Sequence, residues 1–262
     1  MPARPKVAVD GISMVYPLRG HSLQALEGVS FQVAAGEFLA IVGPSGGGKS
    51  TLLRILAGLE APSGGRITID VDDSSRPPTS LVFQQPSSLP WLTVQDNVAY
   101  GLRMRRADPA VVRERVAYFV DLVGLTRFAH SYPHQLSGGM NQRVAVARAF
   151  ANDPEILLMD EPFAALDEQT KFLLQEELLA IWEHTHKTVV FVTHSIDEAI
   201  VLADRIIVLS ARPGKVKAVY DVPFVRPRRP AEMRASPAFG QLLGQVWEIL
   251  REEVRLMEGD RR

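Results

Sequence analysis

The stretch Gly43-Pro44-Ser45-Gly46-Gly47-Gly48-Lys49-Ser50 decides the fold of this chain. It follows the pattern G-x-x-x-x-G-K-[ST], whose glycines let successive backbone N–H groups point at one anion. A compact apolar run, 38–42, precedes it, and apolar residues at helical spacing follow it over 49–59. A buried strand, a glycine-rich turn and a helix N-terminus together predict a phosphate site.

The polar residues of this loop suit phosphate chemistry. Lys49 supplies a cation to the β and γ phosphates, and the Ser50 hydroxyl can ligate Mg²⁺. The alternative, a glycine-rich turn that binds nothing, would not explain the strand before it and the helix after it. The residues predicted to contact the nucleotide here are Gly43, Pro44, Ser45, Gly46, Gly47, Gly48, Lys49, Ser50 and Thr51.

A second stretch ends in two carboxylates. The apolar residues 156–159 predict a buried strand, and Asp160 and Glu161 follow it directly. Beside a phosphate loop, Asp160 is placed to reach Mg²⁺ directly or through water. Glu161 is placed to polarise a water that attacks the γ phosphate.

Strand and helix patterns alternate along the chain. Short apolar runs such as 188–192 and 205–209 predict strands, and 168–184 between two of them has helical spacing. This order predicts an α/β fold with a mostly parallel sheet. Residues 87–150 have a helical texture and are predicted to be an insertion. The proline- and arginine-rich segment 223–237 is predicted to be a linker before a terminal helix.

Composition limits the possible functions. The chain has 262 residues, no cysteine and a net charge of −1, with 29 basic and 30 acidic residues. Disulfides and thiolate chemistry are therefore excluded, and a dedicated nucleic-acid binder is disfavoured. No apolar run approaches the roughly 18 residues that a membrane span needs, and no secretory signal is expected.

The stretch Leu136-Ser137-Gly138-Gly139-Met140-Asn141-Gln142-Arg143 resembles the signature LSGGQ-x-QR of ATP-binding cassette proteins. The resemblance covers at least residues 7–212. It implies a phosphate-loop (RecA-like) ATPase core, an antiparallel β subdomain and an inserted α-helical subdomain. The ATP-binding domain would then span 1–225, with a linker and helix at 226–262. The implied cofactors are ATP and Mg²⁺.

The resemblance also implies roles for single residues. Tyr16 corresponds to the aromatic residue that stacks on adenine. Gln84 corresponds to the Q-loop glutamine, which touches Mg²⁺ and the γ phosphate. Ala165-Leu166-Asp167 resembles the D-loop, in which we expect Asp167 to contribute to the nucleotide site. His194 matches the switch histidine, which contacts the γ phosphate.

The signature implies partners. Ser137, Gly138 and Gly139 open a helix predicted over 140–151, and in the family this end faces the γ phosphate held by a second subunit. We therefore expect a homodimer with ATP at its interface. We also expect integral membrane permease subunits, contacted near the apolar residues 89–92, and indirectly an extracytoplasmic solute-binding protein. The expected location is the cytoplasmic face of the inner membrane.

Met140 stands where the signature usually has glutamine. Together with the segments 88–94 and 208–214, it resembles the branch that serves nitrate, sulfonate and taurine importers. The predicted function is an importer ATPase subunit. One alternative is an exporter subunit of the same fold. Another is a cassette protein without transport, acting as a nucleotide switch on DNA or ribosomes, which a single cassette without a basic arm disfavours.

Overall fold

The computed structural model describes residues 4–85, 87–164 and 166–259. Ala165, one of the residues assigned to the D-loop, lies outside the described residues. The chain divides into two compact units, which we describe separately. The first unit comprises Met1–Val71 and His186–Arg262, and the second unit is Asp72–Thr185.

The first unit contains an antiparallel sheet of three strands. These are β1 (Val7–Leu18), β2 (His21–Val33) and β4 (Gly64–Ile69), in the order β2-β1-β4. Residues that alternate along β1, including Val7 and Val9, are buried, as expected for a sheet with one face on the core. This sheet is the antiparallel β element that the resemblance implied.

A second sheet of the first unit carries the phosphate loop. Its strands are β3 (Phe38–Val42), β7 (Thr188–Thr193), β8 (Arg205–Leu209) and β9 (Val216–Asp221). Their order is β7-β3-β8-β9, with β7, β3 and β8 parallel and β9 antiparallel. Every residue of β3 and β7 is buried, which is typical of strands covered on both faces.

The described part of the first unit contains four helices. They are α1 (Lys49–Leu56), α6 (Ile196–Leu202), α7 (Pro230–Ala235) and α8 (Pro237–Gly259). α1 ends before residue 59, the predicted end, because Gly58 has a φ of 70° and takes the chain out of the helical conformation.

The segment 223–237 differs from the predicted linker. It contains α7, and the side chains of Arg226 and Arg228 point inward rather than to solvent. Both guanidinium groups form ion pairs with Asp204, which precedes β8. Two of the arginines of this segment are therefore held by ion pairs inside the first unit, whereas Arg229 is exposed.

The second unit carries two parallel strands, β5 (Thr79–Val82) and β6 (Ile156–Asp160). The long helix α5 (Glu168–Thr185) follows β6 in sequence. Val82 is paired with Met159, so that the residues after both strands lie at one edge. The sheets of both units confirm the predicted α/β class with mostly parallel core strands.

Among its described residues, the second unit also contains α2 (Val94–Met104), α3 (Pro109–Leu122) and α4 (Gly138–Ala151), with short 3-10 helices at Thr126–Phe128 and Pro133–Gln135. Thr93 and Asp108 cap α2 and α3 through their side-chain oxygens, as polar residues do at helix N-termini. Among the described residues, no helix is both long enough and apolar enough to cross a membrane.

Candidate functional site

The predicted phosphate loop, residues 43–50, joins the carboxyl end of β3 to the N-terminus of α1. Gly46 and Gly48 have φ values of 80° and 82°, which glycine adopts without a steric penalty. Gly48 is the N-cap of α1, so the N–H groups of the first helical turn, which have no carbonyl partner within the helix, lie next to the loop. This arrangement suits an anion.

Lys49 is a buried cation at this loop. Its Nζ donates hydrogen bonds to the carbonyl oxygens of Gly43 and Pro44, each at 2.9 Å. Only 5% of the residue is exposed. A buried ammonium is costly without polar partners, and the loop carbonyls provide them. Ser50 and Thr51 follow in the first turn of α1, and both are partly exposed.

Three of the loop glycines are also required by packing. A Cβ on Gly43 would lie 2.9 Å from the carbonyl oxygen of Leu209, and one on Gly47 would lie 2.6 Å from that of Ser210. On Gly48 it would lie 2.7 Å from the carbonyl oxygen of Ala25. Since these neighbours are backbone atoms, the loop cannot accept a side chain at these positions without moving.

Tyr16 on β1 lies close to α1. Its hydroxyl donates a hydrogen bond to Glu60 and is 3.4 Å from Oγ1 of Thr51. Burial, followed by the hydrogen bond with Glu60, raises the pKa of Tyr16. The structure thus brings Tyr16 next to the predicted nucleotide residue Thr51. Stacking on adenine stays a prediction.

His194 directly follows β7. Thr193, the last residue of that strand, pairs with Val42, the last residue of β3. His194 and Gly43 therefore follow neighbouring parallel strands at the same edge of the sheet. The imidazole is exposed, whereas Thr193 is buried and donates to Oε2 of Glu198 at 2.6 Å. Ser195 then caps α6.

The second unit brings Gln84 and Glu161 together. They follow the paired residues Val82 and Met159, and Nε2 of Gln84 is 3.5 Å from Oε2 of Glu161. Glu161 has a φ of 44°, a conformation that is uncommon outside glycine and recurs at functional sites. Asp160, the last residue of β6, is partly exposed.

The signature residues form the N-terminus of α4. The helix begins at Gly138, two residues earlier than predicted, because Ser137 is its N-cap and accepts from the Met140 N–H at 3.2 Å. Ser137 and Gly138 are exposed. A Cβ on Gly139 would lie 2.8 Å from Cγ2 of Thr170.

Asp167 has a local structural contact. Its carboxylate accepts hydrogen bonds from the N–H and the hydroxyl of Thr170, at 3.0 and 2.7 Å. The backbone hydrogen bond comes first among the causes that lower the pKa of Asp167, and the hydroxyl comes second. This is the geometry of a helix cap at the start of α5. A contact with nucleotide stays a prediction.

The residues predicted to bind magnesium all offer oxygen atoms, which are the ligands that Mg²⁺ takes in proteins. The oxygen donors predicted for it are the Ser50 hydroxyl, the Gln84 side-chain amide and the Asp160 carboxylate. Among the described residues, no group of three or more acidic or histidine side chains could hold a metal ion. Mg²⁺ typically uses one or two carboxylates together with substrate phosphates rather than a cage of protein ligands.

Sequence reasoning missed the residues behind the phosphate loop. Residues 210–214 lie against it, and Oε2 of Glu253 on α8 accepts a hydrogen bond from the N–H of Ala211. The sequence showed residues 208–214 only as a pattern typical of one branch of the family. No local signal indicated that a carboxylate 42 positions later would contact Ala211.

Comparisons with known proteins agree with these motifs. A family model described as ABC transporter matches residues 26–164. An uncharacterised ABC transporter ATP-binding protein of Methanocaldococcus jannaschii is 46% identical over 251 residues, which cover 95% of this chain and 92% of that protein. An aliphatic sulfonates import ATP-binding protein of Bacillus cereus is 45% identical over 242 residues, which cover 92% and 94% of the two chains.

Solved structures show the same fold. A dimeric ATP-binding cassette in a post-hydrolysis state, bound to ADP and Pi, aligns with a TM-score of 0.73 and 36% identity. The alignment covers 84% of this chain and all of that one. The predicted phosphate-loop ATPase core is thereby confirmed.

Proposed function

Because the chain belongs to the family of ABC transporter ATP-binding proteins, we propose that it powers an importer of aliphatic sulfonates or related compounds such as taurine or nitrate. The protein is an ATP-binding ABC ATPase. The observation that carries the import proposal is its 45% identity to an aliphatic sulfonates import protein over 92% of the chain. Met140 and residues 208–214 point to the same branch.

In the first unit, the phosphate loop holds the β and γ phosphates through backbone N–H groups and Lys49. Lys49 then exchanges its loop carbonyl partners for phosphate oxygens. Ser50 ligates Mg²⁺, which when bound neutralises phosphate charge. Tyr16 stacks on adenine, and His194 contacts the γ phosphate.

In the second unit, Glu161 acts as the general base. Its carboxylate accepts a proton from water while the water oxygen bonds to the γ phosphorus and the bond to the β–γ bridging oxygen breaks. Gln84, within 3.5 Å of this carboxylate, contacts Mg²⁺ and the γ phosphate. Asp160 is a further ligand for the ion.

A second copy of the chain completes each site. The exposed N-terminus of α4, with Ser137, Gly138 and Gly139, faces the γ phosphate held by the other copy, and Asp167 acts at the same interface. Binding of ATP closes the dimer, and hydrolysis releases it. The alignment with a dimeric cassette bound to ADP and Pi supports this arrangement.

Closure of the dimer acts on a permease at the cytoplasmic face of the inner membrane. An extracytoplasmic solute-binding protein delivers the solute to that permease. Residues 89–92 are the proposed contact, and Trp91 is 70% exposed there, as a docking side chain must be.

The dimer is tested with Glu161→Gln. Without its base, the variant should bind Mg-ATP, lose turnover by about two orders of magnitude or more, and elute as a dimer during size-exclusion chromatography. Glu176→Gln, an exposed change on α5, is the matched control and should behave like the wild type. A Glu161→Gln chain that stays monomeric at saturating Mg-ATP contradicts the shared site.

Transport is tested by co-purification from host membranes in mild detergent. The proposal expects a multi-span membrane protein, and ATP turnover that rises when the cognate binding protein and an aliphatic sulfonate are added. Recovery of the chain only with nucleic acid or ribosomes would overturn transport and leave the ATPase intact. Recovery with a permease that expels solute would favour the exporter alternative.

A further inference from the structure

We propose that Glu253 is a positioning residue for the phosphate loop: its carboxylate fixes residues 210–214, and these fix the loop backbone that binds nucleotide. We call residues 210–214 the support segment. The proposal rests on the nucleotide-binding role given above to residues 43–50. All of its residues lie in the first unit.

Glu253 is an anchored carboxylate on the terminal helix α8. Only 5% of the residue is exposed. Oε2 accepts a hydrogen bond from the N–H of Ala211 at 2.9 Å, and Oε1 is 2.9 Å from Nζ of Lys217. A buried carboxylate needs such partners, and the buried N–H of Ala211 needs an acceptor.

The support segment is fixed internally by Ser210. The Ser210 hydroxyl donates toward the carbonyl oxygens of Ala211 and Pro213, at 2.8 and 2.7 Å, and accepts from the N–H of Lys215 at 2.8 Å. These hydrogen bonds make the segment move largely as one piece, so that its contacts with α8 and β2 together set its position.

The support segment touches the phosphate loop backbone to backbone. A Cβ on Gly214 would lie 2.3 Å from the carbonyl oxygen of Gly47, and a Cβ on Gly47 would lie 2.6 Å from the carbonyl oxygen of Ser210. Nη2 of Arg212 would lie 3.3 Å from a Cβ on Gly46. Gly214 and Gly47 meet through their backbone atoms, so a shift of the segment by a few tenths of an ångström displaces Gly47.

The C-terminal end of the support segment is also hydrogen-bonded to β2. The N–H of Gly214 donates to the carbonyl oxygen of Ala25 at 2.9 Å, and the N–H of Glu27 donates to the carbonyl oxygen of Gly214 at 3.0 Å. The carbonyl oxygen of Ala25 lies in turn against Gly48. The phosphate loop thus rests on β2 and on the support segment, and the support segment is hydrogen-bonded to α8 through Glu253.

The test measures the Kd for Mg-ADP by calorimetry and the KM for ATP. Glu253→Ala removes the acceptor of the Ala211 N–H, and we expect it to raise both constants at least about fivefold. Glu253→Gln keeps a carbonyl acceptor and should stay within about twofold of the wild type. Gly214→Ala, which crowds Gly47 directly, should weaken Mg-ADP binding in the same way.

Two controls separate positioning from general destabilisation. Lys217→Ala removes the ion pair but keeps the Ala211 hydrogen bond, and Glu248→Ala changes the exposed face of α8, where Glu248 pairs with Arg251. Both should bind Mg-ADP like the wild type. A folded Glu253→Ala chain with wild-type Kd and KM overturns the proposal, as does an equal loss in Glu253→Gln. A wild-type chain that binds no Mg-ADP would instead overturn the nucleotide site itself.

Discussion

Replacing Arg228 by methionine should destabilise the protein strongly. The guanidinium is 1% exposed and pairs with Asp204 at 3.5 Å. Its Nη1 donates to the carbonyl oxygens of Val201 and Ala203 at 3.1 and 2.8 Å, and its Nε and Nη2 donate to that of Phe224. Methionine keeps the apolar stem and removes all of these bonds, so that three carbonyls and a carboxylate lose a donor.

Asp204 is 35% exposed and keeps its ion pair with Arg226, so the cost lies in the three carbonyl oxygens that lose a charged donor, and we expect about 3–5 kcal/mol in all. For a chain of this size that corresponds to a midpoint lowered by about 10 °C in thermal unfolding followed by circular dichroism. The control is Arg229→Met. Arg229 is exposed and pairs only with an exposed glutamate one turn away, Glu232, so its midpoint should match the wild type. Equal midpoints for Arg228→Met and Arg229→Met would refute the reasoning.

Two further changes test the nucleotide site. Lys49→Ala should abolish Mg-ATP turnover, because the phosphates lose their cation; turnover at the wild-type rate would contradict the assigned role. Tyr16→Ala should weaken binding of a fluorescent ATP analogue about fivefold to tenfold through loss of a stacking surface. Tyr16→Phe keeps the ring and loses the hydroxyl contacts with Glu60 and Thr51, so it should bind the analogue like the wild type. Equal affinities for the two Tyr16 variants would contradict stacking.

Much of the local structure around the candidate site could be predicted because its signals are local. The phosphate loop follows a strand whose five residues are all buried, and both the apolar strand and the loop can be recognised in the consecutive residues 38–50. The same holds for Asp160 and Glu161 after β6. The exact start of a helix is harder to predict. The start of α4 was predicted at residue 140, but the helix begins at Gly138 because the Ser137 side chain caps it.

The rest depends on contacts between distant positions. The arginines at 226 and 228 have the composition of a solvated linker, but Asp204 and three carbonyls from earlier elements bind them. Glu253 has the pattern of an exposed charge near a helix end, and it is buried against Ala211. Burial of a charge is set by its partners, which a local pattern does not contain.

The glycines of the phosphate loop and of the signature differ in whether packing within the chain requires them. At Gly47 and Gly48, neighbouring backbone within the chain excludes a side chain. At Gly138, a Cβ would meet nothing within 4 Å among the described residues, and its φ is not positive, so nothing in that part of the chain requires glycine. Alanine is also the better helix former at this exposed position.

In our proposal, the γ phosphate held by a second copy comes close to Gly138, which would explain a glycine that the described part of the chain does not require. Gly138→Ala should therefore fold with a midpoint at or above that of the wild type and bind Mg-ADP equally well. Its ATP turnover should fall at least about tenfold, because the added methyl group stands between the N-terminus of α4 and the phosphate. We would measure all three on one preparation. Full turnover in Gly138→Ala would mean that nothing approaches this helix end closely, and the shared site would lose its main structural support.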